Sequence, residues 1–310
     1  MTDLYAARWR GQPGRLEVWY ATLTDPASGL GLWLHHEMVA GRDGSVRWHG
    51  WAAAFPAGGP PVLARFGPAP RNDTSGGRLV GLPGVCATPE RLAGKAGELE
   101  WDLQVEGGGP PLFTFPRWAW ERELLPAAQV VPAPAARFSG SVRVAGREVT
   151  VAEARGAVAR IYGHGNAARW GWLHADLGGQ DVLEVVAAVS THPGLRSLKA
   201  LPLLQLRVGG RTWPRHPLLA APLLTADLRL PHWSVSGTFG RRRVRVAVEQ
   251  DPAESVTVQY DDPSGVGPVC TNSERATADV LLERWSGRWS VEQHWHLDRR
   301  VHAELGRRQA

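Results

Sequence analysis

Hydrophobic and polar residues alternate along most of the chain, in short segments that end at Gly, Pro or Asp. Examples are "RLEVWYATLTD" (15–25), "LGLWLHHEMVA" (30–40) and "VRWHGWAAAF" (46–55). Alternation with a period of two is typical of β-strands that bury one face. Because many short strands with frequent turns must each bury a face, the pattern predicts an all-β protein of barrels or sandwiches.

Helical periodicity is scarce, so we predict few and short helices; the best candidates are "TPERLAGKAG" (88–97) and "DRRVHAELGRR" (298–308). The stretch "LLPAAQVVPAPAARF" (124–138) is rich in Pro and Ala and lacks alternation, which is typical of a linker. Single hydrophobic cores rarely grow beyond about 250–300 residues, and the chain has 310. We therefore predict two tandem β domains, an N-terminal barrel or sandwich over 1–135 and a C-terminal barrel over 136–310.

Composition and charge argue against several functional classes. The net charge is +5, but nearly all cations are Arg, and Arg241, Arg243 and Arg245 alternate on one predicted strand face. We interpret that face as solvent-exposed and predict no nucleic-acid partner, since no recognition module is present. No run of 18 apolar residues, leader-like segment or closely spaced cysteine pair is found, so we expect a cytoplasmic protein without an integral membrane segment. Transient contact with a membrane surface and the oligomeric state stay open.

The stretch "IYGHGNAARWGWLHADL" (161–177) contains a Gly-x-Gly-x-x-Ala string that resembles a dinucleotide-binding fingerprint. Glu184 lies at about the spacing expected for the acid that binds the ribose. However, the residues after the glycines alternate instead of following a helical period, and no second βαβ unit is present. We therefore favour a strand over a phosphate-binding loop and predict no nucleotide cofactor.

As a strand, this stretch places aromatic and titratable side chains on one face: Trp170, Trp172, His174 and Asp176. If that face points inward, it lines a cavity with apolar walls and a few polar groups, which is the usual composition of a small-molecule site. In the N-terminal half, His35 and His36 are adjacent and point to opposite faces, so one of them can contribute a donor to an N-terminal cavity.

A second histidine pair gives a possible metal site. "HWHLD" places His294, His296 and Asp298 on one strand face, and two imidazoles at that spacing can share a metal ion. A third ligand such as His232 or His174 would have to come from another strand, and the sequence identifies none. We interpret the pair as part of a hydrated outer face and predict no metal.

The block "FSGSVRVAGREVTVAEARGAVARIYGHGNAARWGWLHADL" (138–177) resembles the middle of a lipocalin-like family. That family contains AttH-type proteins, carotenoid 1,2-hydratases, tocopherol cyclase and Diels–Alderases, and its members share a "G-x-x-Y-x-D-H-x-W-G" turn followed by a Trp-rich strand. Segments 17–39 and 256–285 resemble its early and late strands. The resemblance implies two β-barrel-like or sandwich domains in tandem, the C-terminal one lipocalin-like, with an apolar ligand held in or between them.

The polar turn departs from the family pattern at one position. Gly163 stands where hydratase-like members carry Asp, whereas His164 and Asn166 match. The carboxylic acid expected to protonate an isolated double bond is therefore absent. Cyclisation or isomerisation without a cofactor fits better than hydration, because holding a polyene in a reactive conformation and donating a hydrogen bond can suffice.

We expect the protein to bind an isoprenoid, carotenoid or polyketide-like molecule in a Trp-lined cavity. The predicted catalytic residues are His164 as general acid or hydrogen-bond donor, Asn166 as a polar clamp, and His174 with Asp176 as a second donor pair. The predicted ligand-binding residues are Tyr162, Trp170, Trp172, Trp19, Trp33 and His35. The alternative, a noncatalytic lipid- or pigment-binding protein of the same architecture, stays open.

Overall fold

The computed structural model describes residues 3–69, 79–123, 125–192, 194, 199–265 and 267–308. It confirms the all-β prediction: nearly all regular structure is strand, in two large sheets, one of which is a nearly closed barrel. The helices of the described ranges are short, with α-helices at Arg117–Arg122 (α1) and Pro217–Ala220 (α2) and single 3-10 turns at Ala221–Leu223 and Pro252–Glu254. In those ranges, no helix combines the length and the hydropathy that crossing a bilayer requires.

The chain divides into two compact units. Unit 1 comprises residues 1–113, 117–166 and 261–267, and unit 2 comprises residues 114–116, 167–260 and 268–310. Each unit contains one of the two sheets.

Unit 1 contains a ten-stranded antiparallel sheet in the order β4-β3-β2-β1-β10-β9-β8-β7-β6-β5. Its strands are β1 (Arg15–Thr24), β2 (Gly31–Ala40), β3 (Val46–Phe55), β4 (Val62–Ala69), β5 (Val80–Leu82), β6 (Val85–Ala87), β7 (Arg91–Ala96), β8 (Leu99–Glu106), β9 (Ala127–Val144) and β10 (Arg147–Gly163).

Unit 2 contains the second antiparallel sheet, in the order β14-β13-β12-β11-β20-β19-β17-β16-β15, with β18 also paired to β19. Its strands are β11 (Arg169–Gly178), β12 (Asp181–Val189), β13 (Leu201–Val208), β14 (Arg211–Trp213), β15 (Leu224–Asp227), β16 (His232–Phe239), β17 (Arg242–Glu249), β18 (Val256–Gln259), β19 (Val269–Trp285) and β20 (Trp289–Arg307).

The two sheets share one arrangement. In each, a four-stranded meander (β1–β4 or β11–β14) pairs through its first strand with the second strand of a long hairpin, β9–β10 or β19–β20. The remaining strands extend the sheet from the first strand of that hairpin. The chain therefore repeats a topology without an evident sequence repeat.

One face of each sheet carries a closely packed apolar cluster. In unit 1 that face carries Trp19, Leu34, Trp48 and Phe138, and in unit 2 it carries Leu173, Val185, Leu204 and Val246. Because side chains alternate along a strand, the intervening residues form a second face. Much of the second face is also buried, and it carries the titratable groups described below.

The division between the units differs from the predicted boundary near residue 135. Residues 124–138, interpreted as a linker, fall largely within β9, which continues to Val144. Prolines normally interrupt strand pairing, but β9 accommodates Pro132 and Pro134 at two register shifts against β10. Such bulges leave one residue unpaired and so tolerate a missing N–H donor.

Both predicted helices are strands. Residues 91–96 form β7, which pairs with β6 and β8 and buries Leu92 and Ala96 on one face. Residues 298–307 form the end of β20, which is buried on both faces from Val301 to Glu304. Neighbouring strands on each side supply hydrogen bonds and burial that outweigh local helix propensity.

His36 gives a testable pH dependence of stability. It lies buried on the apolar face of unit 1, where Nδ1 is 3.3 Å from the carbonyl oxygen of Trp19. Burial, and then the neighbouring charge on His35, lowers its pKa from 6.5 to about 4. The folded chain therefore binds fewer protons than the unfolded chain between these pH values, so the free energy of unfolding falls as the pH falls from 6.5 towards 4.

We expect His36→Leu to remove up to about 3 kcal/mol of that pH dependence, measured by urea unfolding across the same pH window. His232→Leu, which changes an exposed histidine, is the matched control and should retain the wild-type pH dependence. A His36→Leu chain with an unchanged slope would contradict the assignment.

Candidate functional site

Four strands of unit 2 bring titratable side chains together on the face opposite the apolar cluster. On β11, His174 lies directly across from Glu184 of β12 and from His302 of β20. Glu274 of β19 reaches the same region, since its carboxylate contacts His302. All four side chains are buried, so each needs a partner for its polar atoms.

The carboxylate of Glu184 receives two ring N–H groups. Its Oε1 accepts a hydrogen bond from the indole Nε1 of Trp172, and its Oε2 lies 2.9 Å from Nδ1 of His174. An ionised carboxylate only accepts hydrogen bonds, so this pairing places the imidazole proton on Nδ1. With that tautomer, Nε2 of His174 is left as an acceptor.

That second nitrogen is the most distinctive atom of the site. His174 is only 3% exposed, and its Nε2 has no hydrogen-bond partner among the residues that the structure describes. Buried polar atoms in proteins are nearly always paired, and exceptions often mark functional sites. The geometry matches that of a base whose orientation is set by a carboxylate.

A second imidazole–carboxylate pair lies beside the first. Nδ1 of His302 is 2.5 Å from Oε1 of Glu274, and the centroid of its ring lies 3.9 Å from that of Trp172. Burial lowers the pKa of His302 to about 3, so this imidazole is neutral at physiological pH. Two histidines in adjacent pairs therefore have different partners and can serve different roles.

Trp170 lies one step further along the same face of β11. Its indole Nε1 donates a 2.7 Å hydrogen bond to Glu304, and Tyr260 packs edge-on with ring centroids 5.8 Å apart. Burial raises the pKa of Glu304 and that of the nearby Cys270 thiol. A thiol in that environment is a poor nucleophile.

Asp176, the other member of the predicted donor pair, lies near the end of β11. Its Oδ1 accepts a 2.7 Å hydrogen bond from the backbone N–H of Gly178, in the turn between β11 and β12. His174 has Glu184 as a partner. The Gly178–Gly179 pair marks the hairpin in the sequence, and a bulge between Asp176 and Gly178 sets the register in which residues 174 and 184 face each other.

The side chains of the polar turn of unit 1, His164 and Asn166, contact other residues of the protein. Nη1 of Arg15 lies 2.9 Å from Nδ1 of His164, and burial followed by this guanidinium lowers the pKa of His164. The backbone N–H of Asn166 donates to Asp262 over 2.9 Å, and its side-chain amide contacts Asp261 and Asp262. Asn166 therefore anchors the 261–267 loop to unit 1.

Tyr162 and His164 line a small cavity together with Trp120 and Ala128. Its volume is about 10 Å³, which is room for about one water molecule. The predicted residues of the turn thus meet, but they do not enclose space for a polyene.

Close packing explains why residue 163 is a glycine. A Cβ at this position would lie 2.4 Å from the carbonyl oxygen of Pro126 and 2.5 Å from Cα of Ala127. Contacts that short force the backbone to move, so a side chain here requires a different path for β9 or β10. The close approach of these two strands therefore excludes the Asp that the family pattern has at this position.

Unit 1 has its own buried polar group on the second face of its sheet. The carboxylate of Glu37 lies between two imidazoles, 3.1 Å from Nε2 of His35 and 3.1 Å from Nε2 of His49. Burial opposes ionisation of Glu37, but its close contacts with the two histidines lower its pKa to about 2. His35 stacks on Trp51 with ring centroids 4.0 Å apart, and Trp33 contacts both rings.

The predicted N-terminal ligand residues lie on two faces. Trp33 and His35 share the second face of the unit 1 sheet, whereas Trp19 belongs to the apolar cluster. The ring of Trp19 packs on Trp48 with centroids 6.0 Å apart, and the Arg160 guanidinium lies 4.9 Å from its centroid. These three residues do not form one wall.

The histidines of "HWHLD" are exposed and share an acidic partner. His294 and His296 lie 3.5 and 3.1 Å from the same carboxylate oxygen of Asp279. Across the described ranges, no cluster of three or more His, Cys, Asp or Glu side chains has a geometry suited to a metal ion.

The sequence from residue 93 to 306, more than two thirds of the chain, matches the family model described as tocopherol cyclase-like. The chain belongs to the tocopherol cyclase-like family. It is also 48% identical over 301 residues to uncharacterized proteins of Mycobacterium tuberculosis strains CDC 1551 and H37Rv, a match that covers 97% of this chain and 89% of those proteins.

The fold agrees with this membership. A crystal structure of an AttH-type protein from Nitrosomonas europaea superposes with a TM-score of 0.60 at 14% identity, covering 94% of this chain and 92% of that one. At such low identity the match establishes the fold alone. Together the two comparisons confirm the resemblance to the lipocalin-like AttH and tocopherol cyclase family.

The structure predicts that Glu184→Gln destabilises the protein by about 1–3 kcal/mol, the usual cost of leaving a buried donor unpaired. The two donors approach different oxygens of Glu184, and a carboxamide replaces one of these oxygens with an NH₂ donor, so it cannot accept from both Trp172 and His174. Urea unfolding followed by far-UV circular dichroism measures the loss. Glu153→Gln, at an exposed strand position, is the control and should leave stability unchanged. Equal stability of Glu184→Gln and the wild type would refute the bridging role.

Proposed function

We propose that the chain binds an apolar small molecule of the isoprenoid, carotenoid or polyketide-like class and catalyses its cyclisation or isomerisation without a cofactor. His174 is the acid–base group, Glu184 orients it, and Trp172 holds Glu184. The observation that carries the proposal is the buried, unpartnered Nε2 of His174, an atom whose hydrogen-bonding capacity a substrate can satisfy.

The substrate class is argued from the surroundings of that nitrogen. The indole N–H groups of Trp170 and Trp172 are bound to carboxylates, which leaves their ring systems as apolar contact surfaces. Membership of a family whose description names a cyclase of an isoprenoid compound supports the same class.

The proton chemistry follows from the tautomer. With its proton on Nδ1, His174 accepts at Nε2 a proton from the substrate, the electron pair of the broken bond stays on the substrate, and Glu184 stabilises the imidazolium that forms. The imidazolium then returns the proton at another atom of the substrate. Cyclisation and isomerisation leave the overall oxidation state unchanged, so one group that takes and returns a proton completes the cycle without a redox partner.

The polar turn has a lesser role in this proposal. Hydration needs a strong acid for an isolated double bond, but Gly163 leaves no carboxylic acid there, and the position has no space for a side chain. The Arg15 guanidinium beside Nδ1 disfavours protonation of His164. His164 then serves as a hydrogen-bond donor through Nε2, with Asn166 supporting the turn.

The alternative is a noncatalytic lipid- or pigment-binding protein of the same fold. The neutrality of His302, whose pKa is about 3, favours it, because a neutral imidazole beside Trp172 suits an uncharged ligand as well as a reacting one. In that case His174 provides a hydrogen bond to the ligand and no proton transfer.

The test begins with protein purified from its own host. Native mass spectrometry and solvent extraction show whether an apolar molecule accompanies it, and cis-parinaric acid, excited by energy transfer from tryptophan, reports binding in vitro. We expect His174→Gln to lower turnover of the extracted compound by about 10²–10⁴-fold, the usual contribution of a general acid–base group, while parinaric acid affinity stays within a few-fold.

His192→Gln, at an exposed histidine, is the matched control and should retain full turnover. Unchanged turnover in folded His174→Gln protein would remove His174 from the mechanism. Binding without conversion of any extracted compound would support the noncatalytic alternative. A protein that carries no apolar molecule and does not bind parinaric acid would overturn both.

A further inference from the structure

The tips of two hairpins in unit 2 lie side by side. The β19–β20 hairpin turns at residues 286–288, and Trp285 and Trp289 flank this turn as a cross-strand pair with ring centroids 5.4 Å apart. The β16–β17 hairpin turns at Gly240 and Arg241. The backbone N–H of Trp285 donates a 2.8 Å hydrogen bond to the carbonyl of Arg241, which joins the two turns into one surface.

This surface, which we call the tip patch, is apolar at its centre. Trp285 is 41% exposed, and Val291, two residues beyond Trp289, is 61% exposed. Exposed apolar side chains that cluster on a folded protein mark binding surfaces more often than single ones do. A β-hairpin tip projects its turn residues, so these side chains can meet a flat partner.

The tip patch is also strongly basic. Its charged members are Arg241, Arg242, Arg243, Arg245, Arg284, Arg288, Glu283 and Glu292. The two glutamates pair with Arg242, Arg243 and Arg245. Arg241, Arg284 and Arg288 have no acidic partner within the part of the chain that the structure describes, so the two turns together carry a net positive charge.

We propose that the tip patch docks on the surface of a lipid bilayer that contains anionic lipids. Tryptophan concentrates at the membrane–water boundary because its large ring is apolar and its N–H is polar. Arginine side chains near the boundary are attracted to anionic headgroups. The tip patch combines both features on adjacent turns, and its apolar residues reach the level of the headgroups while its arginines contact phosphates.

The observations favour a bilayer over a nucleic acid. The Arg243 guanidinium lies 4.7 Å from the ring centroid of Trp289, and that ring also packs against Trp285. A ring in these contacts has less free surface for stacking with a base. Val291 offers nothing to a nucleic acid but contributes apolar area to a bilayer contact.

This inference is independent of the proposed function. Docking concerns the outer tip of the β19–β20 hairpin, and the acid–base site lies on β11, β12 and the distant end of β20. A failed docking test therefore leaves the role of His174 untouched, and the reverse also holds.

The experiment is vesicle flotation of the full-length chain with phosphatidylcholine vesicles, with and without phosphatidylglycerol. We expect the wild type to float with the anionic vesicles at low salt and to dissociate as salt rises, since salt screens charge attraction. The double variants Trp285→Ser/Val291→Ser and Arg284→Gln/Arg288→Gln should each lower partitioning by about tenfold or more.

Two controls match these variants. Trp118→Ser changes a tryptophan of α1 that is 43% exposed, and Arg211→Gln/Arg215→Gln removes two exposed arginines of unit 2 away from the tip patch. Both should float like the wild type. Because all changed residues are exposed, circular dichroism should show every variant folded.

Three results would overturn the proposal. The first is no flotation of the wild type, or flotation that the tip variants do not reduce. The second is binding to double-stranded DNA that competes with vesicles and is lost in the arginine variant but kept in the Trp285→Ser/Val291→Ser variant, which identifies a polyanion site. The third is a wild-type dimer in size-exclusion chromatography that Trp285→Ser/Val291→Ser converts to a monomer, which identifies the surface as a contact between two copies.

Discussion

The candidate site depends on one buried carboxylate, that of Glu184. A carboxylate without contact to water is stable only when donors surround it, and here the indole of Trp172 and the imidazole of His174 supply them. The same two bonds hold both rings in place and determine which imidazole nitrogen carries the proton. The hairpin of β11 and β12 therefore holds the carboxylate and both of its donors in one structural element.

Unit 1 uses the same arrangement with different residues. Glu37 accepts from His35 and lies 3.1 Å from Nε2 of His49 on the second face of its sheet, while Glu184 accepts from Trp172 and His174 in unit 2. In both cases the opposite face of the sheet packs an apolar cluster, so one face carries the apolar core and the other carries buried titratable groups. The two units thus share their strand order, and each also has a buried carboxylate on the second face of its sheet.

The alternation of side chains predicted the strands and the all-β fold correctly, because burial of one face leaves a period-two signal. The sequence pattern gave wrong predictions where pairing with distant strands determines the secondary structure. These places are β7, the end of β20 and the proline-containing part of β9. The same alternation places His174 and Trp172 on one face of one strand, β11. Glu184, Glu274 and His302 were missed as partners because only the pairing between distant strands brings them together.

Gly163 connects the fold to the chemistry. Its backbone lies so close to Pro126 and Ala127 that restoring the family's aspartate would require β9 and β10 to separate. The turn that carries an acid in hydratase-like relatives is therefore closed to one here by strand packing. Under the proposed function, proton transfer then falls to a group that the packing does hold in position, and the hairpin of β11 and β12 supplies it in His174. The glycine follows from the approach of β9 to β10 in the sheet of unit 1, and the placement of the base follows from the pairing of β11 with β12 in the sheet of unit 2.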